Sequence, residues 1–214
     1  MEQTEQEVAH SPLIGHLVAE HRLKSRVLVL FARHCERMLQ ERAADIGLTR
    51  AFLRFFRQFC DGRHRAKEEK LFAWMSSLGL DQATGPLAVL HHEHDEGREL
   101  LRALAGAVNI LEARPSSRSA LQEVHRLALS FVELSMAHVE KEEDVLFPIA
   151  ELFAVQSGTE CEAPRDIPDQ FSDEDEAWIQ ELESLSDAWP GYTLPGEDVG
   201  TAYGFARLCE ESLN

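Results

Sequence analysis

Residues 64–72 read HRAKEEKLF and residues 138–147 read HVEKEEDVLF: the same H-x-x-K-E-E core, then a Leu-Phe pair, with one extra residue in the second copy. A shorter echo precedes each. Glu20-His21 opens EHRLKSRVL, and Glu93-His94 opens EHDEGREL. His64 and His138 are 74 positions apart and His21 and His94 are 73 apart, so one helical hairpin is written twice.

The flanks of these motifs carry helical periodicity. Ser11-Pro12 opens a pattern through Leu13, Leu17, Val27, Leu28, Phe31 and Met38 that runs as far as Gly47. Thr49 is the expected cap of a second helix through Phe52, Phe55, Phe56, Phe59, Leu71, Phe72 and Met75, ending at Gly79. Thr84-Gly85-Pro86 restarts the pattern through Leu87, Leu90, Leu101, Leu104 and Val108 until Pro115. Ser119 with Gln122 resembles a capping box for a fourth helix reaching about Phe153, with a kink expected near Pro148. Four long helices with short polar connections and no alternating segment predict an all-α fold, an up-down-up-down four-helix bundle over residues 10–154.

The 214 residues are 44% hydrophobic, enough for a core, and carry 38 acidic against 21 basic side chains, a net charge of −17. That charge argues against a nucleic-acid partner and against an anionic membrane surface. Residues 155–214 form an acidic C-terminal extension: from residue 156 onward, 15 acidic residues face only Arg165 and Arg207. Trp178, Leu182, Leu185 and Trp189 predict a short amphipathic helix within it, which docks on the bundle or meets a protein partner. Cys35, Cys60, Cys161 and Cys209 form no C-x-x-C pair, and the polar start MEQTEQEVAH is unlike a secretory signal. A cytoplasmic location is expected.

An H-x-x-x-E pair is weak evidence in a chain with ten histidines, and His16/Glu20 and His92/Glu96 make two more without shared flanks. The joint repeat is specific. Residues i and i+4 share a helix face, so His64 with Glu68, and His138 with Glu142, each present a nitrogen and an oxygen to one point. With His21 and His94 at the same level, four imidazoles and two carboxylates meet. Buried without compensation, such groups cost several kcal/mol each, and a pair of cations relieves that cost. Imidazole and carboxylate without thiolate suit iron, and also manganese or zinc.

The order His21, His64 to Glu68, His94, His138 to Glu142 resembles the hemerythrin-like, or HHE cation-binding, domain, as do KEE-x-x-LFP ending at Pro148 and GPLAVLHHEHDEGR from Gly85. The resemblance spans about residues 10–153. It implies two iron ions, oxo- or hydroxo-bridged, with Glu68 and Glu142 bridging, His21 and His64 on one iron and His94 and His138 on the other. It also implies five protein or bridging ligands per iron, leaving a position for a small ligand. The family's oxygen carriers have H-x-x-x-H on the third helix, whereas Leu90 precedes His94 and Leu17 precedes His21 by four. That departure shifts the expectation from oxygen carriage toward sensing of, or redox chemistry with, oxygen, nitric oxide or peroxide.

Three function classes follow: a binding or sensory protein, a di-iron oxidoreductase turning over peroxide or nitric oxide, and a metal store. Relatives with a role in iron-sulfur repair carry an added N-terminal cysteine-bearing domain, so that role is expected less. The phenylalanine run is expected in the core. His16, His34, His92 and His125 are expected at boundaries or in solvent, and His91 is expected at a boundary ahead of a place at the mouth or behind His94. Lys67 and Lys141 read equally as surface ion pairs or as having a role at the metals, and Glu69 and Glu143 as outward-facing or bonded behind the metal ligands.

Overall fold

The computed structural model describes residues 11–159, 161 and 162, all helix and short connections with no strand among them. The helices are α1 (Pro12–Glu41), α2 (Ile46–Phe55), α3 (Arg65–Ser77), α4 (Gly85–Ala113), α5 (Arg118–Lys141) and α6 (Phe147–Ser157). A π-helical segment, Phe56–His64, joins α2 to α3, and another, Glu142–Leu146, joins α5 to α6, so the six helices make four rods. The expected helix carrying Trp178, Leu182, Leu185 and Trp189 lies outside the described residues.

Local chemistry moves several boundaries. The first rod stops at Glu41 rather than Gly47, because Arg42 turns left-handed (φ 54°) and its N–H returns to Met38 O. Asp45, not Thr49, then caps the second rod by accepting the Leu48 N–H at 3.0 Å. Thr49 is left inside α2, where its hydroxyl donates to Asp45 O at 2.6 Å. Ser117 rather than Ser119 caps α5, accepting the Ala120 N–H. Pro148 lies in the first turn of α6, and the departure from α-geometry lies immediately upstream of it at Glu142–Leu146.

The apolar residues divide into two clusters. The larger gathers Val27, Leu28, Phe31, Phe52, Phe56, Phe59, Leu104, Val108, Val124, Phe131 and Val132. Phe56 is its hub, with ring centroids 5.3 Å from Phe31 and 4.9 Å from Phe131. The smaller holds Leu13, Leu17, Leu71, Phe72, Met75, Leu87, Leu90, Leu146, Phe147 and Ala150. Every rod contributes to both clusters. Between its contributions each rod carries one of the sequence motifs: His21 after Leu17, His64 and Glu68 before Leu71, His94 after Leu90, His138 and Glu142 before Leu146. A polar layer is thus closed off by hydrocarbon on both sides.

His34 departs from its expected boundary place. It is fully buried, its Nε2 is 2.9 Å from Thr49 Oγ1, and burial drives its pKa down to about 4. The phenylalanines are core as expected, Phe52 and Phe56 completely so. Phe56→Ala is expected to lower unfolding free energy by about 3–5 kcal/mol, measured by urea denaturation at fixed metal content. A loss below about 1 kcal/mol would mean the aromatic cluster is not what joins the rods.

Candidate metal centre

The six residues singled out by spacing come together. One donor atom each from His21, His64, Glu68 and Glu142 lie within 4.8 Å of one another, and so do donors from Glu68, His94 and His138. Glu68 belongs to both sets. Its Oε1 is 2.6 Å from His64 Nε2 and its Oε2 is 2.9 Å from His94 Nε2. Glu142 Oε2 lies 3.1 Å from His21 Nε2 and 3.5 Å from His138 Nε2. All but His94 are buried, and the His94 side chain is 10% exposed.

The far sides of the imidazoles explain their orientation. His64 Nδ1 is 2.9 Å from Glu20 Oε2, His138 Nδ1 is 3.0 Å from Glu93 Oε2, and His21 Nδ1 is 2.8 Å from Glu143 Oε1. A carboxylate only accepts, so each of these rings donates from Nδ1. In the neutral ring Nε2 is then a bare lone pair aimed at the centre. Lone pairs facing carboxylate oxygens at 2.6–3.1 Å repel unless a positive charge lies between them. Accordingly His21 Nε2, His64 Nε2, Glu68 Oε1 and both Glu142 oxygens are buried without a hydrogen-bond partner. Protons can relieve this in part, but a cation accepting several lone pairs relieves all of it, so the residues fit a metal pair.

Of the two readings of Lys67, the surface ion pair does not hold. It is 1% exposed and donates to Glu20 Oε1 at 2.8 Å, completing a buried chain from Lys67 through Glu20 and His64 to Glu68. Lys141 repeats it half-exposed, donating to Glu93 Oε1 at 2.5 Å behind His138 and Glu142. The signal was in the sequence: lysine three after each repeated histidine, and glutamate before its partner. Glu143 meets its expectation behind His21. Glu69, its counterpart, is instead drawn to Arg65, leaving His94 Nδ1 buried without a partner. His91 is a boundary residue, one-third exposed, with its Nδ1 3.7 Å from Glu69 Oε1.

The extra residue of the second repeat has a structural consequence. A π-turn holds one more residue than the α-turn it replaces, and Glu142–Leu146 is such a segment. Phe147 therefore lands where Phe72 does despite lying one residue farther from its histidine. Phe147 stacks on His21 at 5.6 Å and Phe72 on His94 at 6.1 Å, both rings 11° from parallel.

Electrostatics without metal show what the cluster must neutralise. Burial pushes the Glu68 carboxyl up, yet the charge of His64 and the contacts of His138, His64 and His94 hold it well below the usual carboxylate range. Burial opposes charge on His138, but Glu142, Glu68 and Glu93 raise it to about 9. His64 is raised against its burial by Glu68 and Glu20.

Residues 13–150 match the profile of a family described as the hemerythrin HHE cation binding domain. "Iron-sulfur cluster repair protein YtfE" of Escherichia coli O157:H7 is 28% identical over 144 residues, covering 64% of this chain and 64% of that protein. The proteins of that name from Escherichia coli O1:K1 and Escherichia fergusonii give the same figures. The chain thus spans just under two thirds of the length of these relatives. No solved structure matches the chain.

Two outcomes are expected. A histidine raised above its unfolded pKa of about 6.5 contributes stability that is complete below that pH and lost as pH rises through its folded value. The metal-free protein should therefore lose Tm between pH 6.5 and about 10, through the His138 value of about 9, and the metal-loaded protein should lose less. A flat metal-free profile would contradict the charged imidazoles. Deleting Val145, half-exposed in the π-segment, should leave helicity and iron content intact by circular dichroism and metal analysis. Deleting Val139 in regular α5 should abolish metal content, because every later side chain turns by about 100°.

Proposed function

The chain belongs to the hemerythrin HHE cation-binding family, and from that premise we propose that it holds two iron ions and through them binds or senses a small oxidant or diatomic molecule: oxygen, nitric oxide or peroxide. In this reading Glu68 and Glu142 each reach both ions, His21 and His64 complete one donor set, and His94 and His138 the other. One observation carries it: the two oxygens of buried Glu68 diverge, toward His64 at 2.6 Å and His94 at 2.9 Å. We read the rods as alternating in direction, since connections over 42–45, 78–84 and 114–117 are short enough to favour antiparallel neighbours.

Iron among such donors supplies one-electron redox change and affinity for small ligands. The chain supplies the rest. Glu20, Glu93 and Glu143 accept from Nδ1 of His64, His138 and His21, which fixes each ring and makes its Nε2 a better donor. Lys67 and Lys141 balance the carboxylates behind the histidines, so the ring rather than a mobile carboxylate faces inward. The two apolar clusters keep bulk water from the layer between them, which strengthens every charge interaction within it. Manganese and zinc suit the same donors, and iron is the choice on family grounds.

Two other uses of the same site are distinguishable from sensing: turnover of peroxide or nitric oxide, and storage of metal. The alignment with proteins named for iron-sulfur cluster repair favours a further reading, in which the domain contributes to that repair. Rapid mixing of the reduced, iron-loaded chain with each small molecule separates the first three. A stable reversible adduct supports sensing, multiple turnovers support an oxidoreductase, and inertness supports storage. Restoration of a damaged iron-sulfur enzyme by the loaded chain tests the fourth.

Glu68→Ala and Glu142→Ala are expected to remove more iron than His21→Ala, since each carboxylate serves both ions. Iron per chain and the near-ultraviolet absorption of the oxidised pair are the measurements. Equal iron in all three variants would overturn the bridging assignment, and less than about one iron per chain in the unaltered protein would overturn the di-iron reading itself.

A further inference from the structure

Glu69, His91 and His94 form a third group of donors within 4.8 Å of one another, sharing only His94 with the two sets of the centre. His94 Nε2 is committed inward, 2.9 Å from Glu68 Oε2 and 3.1 Å from His138 Nε2. Its Nδ1 is buried without a partner, on a side chain only 10% exposed. A bare buried nitrogen carries a desolvation cost that a cation recovers. His91 Nδ1 lies 3.7 Å from Glu69 Oε1, too long for a hydrogen bond but close to the separation of two donors each about 2.1 Å from one ion. Phe72 holds both rings, its centroid 5.3 Å from His91 and 6.1 Å from His94.

The duplicated hairpin shows what is particular to this side. Glu143, the counterpart of Glu69, closes on His21 Nδ1 at 2.8 Å, and Val18 stands three before His21 where His91 stands three before His94. One half seals its histidine with a carboxylate; the other leaves the nitrogen open and adds an imidazole one turn away on α4. Arg65 holds Glu69 Oε1 at 3.2 Å, but it also holds Asp61 at 3.2 Å and so keeps a carboxylate when a cation takes Glu69. A chain of net charge −17 draws cations to its surface. Half-exposed Glu69 and His91 meet such an ion first, and His94 stands between them and Glu68. A cavity of about 60 Å3 borders Glu68, His94 and His138 and gives an arriving ion room beside the ring.

We propose that Glu69, His91 and His94 Nδ1 are an entry site for a divalent transition-metal ion, which lodges there from solvent and passes by the His94 ring to the centre. Two imidazoles and a carboxylate suit ferrous iron, manganese, cobalt and zinc alike. A neutral imidazole has one bare nitrogen, so His94 serves an outer ion through Nδ1 or an inner one through Nε2, and the outer site empties as the centre fills. The proposal rests on the di-iron reading above and adds to it a route of loading, set by two residues outside the six candidate donors.

Cobalt(II) is the probe, mixed with the metal-free full chain and followed by visible absorption, with metal per chain measured at the end. His91→Leu should slow loading at least about tenfold and leave the final metal content unchanged. His92→Leu, at an exposed neighbouring histidine, should stay within about twofold of the unaltered rate, and Arg65→Met, which releases Glu69, should load about threefold faster or more. Tm of each metal-free variant, measured first, should match the unaltered protein. Equal rates in His91→Leu and the unaltered chain, equal slowing in His92→Leu, or slower loading in Arg65→Met overturns the proposal and leaves the di-iron reading standing. So does a lower final content in His91→Leu, which would make His91 part of the centre itself. Failure of the unaltered chain to retain cobalt overturns both.

Discussion

Four imidazoles and two carboxylates are confined to a layer with hydrocarbon above and below, and the rest of the structure is arranged around that constraint. The large cluster about Phe56 and the small one about Phe72 and Phe147 join the rods at two levels, so five of the six candidate donors between them are buried and the His94 side chain is 10% exposed. Charges so placed are tolerable only when every one is answered. Outward, the answer is Glu20, Glu93 and Glu143 on the ring nitrogens and lysines behind two of them. Inward, His21 Nε2, His64 Nε2, Glu68 Oε1 and both Glu142 oxygens are buried without a hydrogen-bond partner.

Duplication accounts for most of this order and for its exceptions. Each hairpin supplies a Glu-His pair, an H-x-x-K-E-E stretch and a stacking phenylalanine, so each half builds the same Lys-Glu-His-Glu chain. The halves then diverge. Glu143 closes on His21, while Arg65 draws Glu69 off and leaves His94 with a free ring nitrogen and some exposure. The second copy absorbs its extra residue in a π-turn that keeps Phe147 on His21. The His94 side is therefore the open one, and the cavity lies there.

Much of this was legible beforehand because helical period and i, i+4 spacing are local properties. The four rods, the aromatic core and the six convergent residues follow from them, and the family resemblance assigned the same six. Less legible were features decided by competition between neighbours. Thr49 is a good cap, but Asp45 reached the free N–H groups first. Lys67 looks like any surface lysine until α1 brings Glu20 against it. His34 lies fully buried because Thr49 offers its hydroxyl.

The sequence by itself determined an all-helical chain, its duplication, and which side chains point together, since those depend on residue spacing along one helix. The tertiary structure alone decided which carboxylate meets which ring, where the π-turns fall, and that a cavity opens beside His94. Those outcomes depend on distances between separate rods, set by how large side chains pack, and no periodicity within a single rod encodes them.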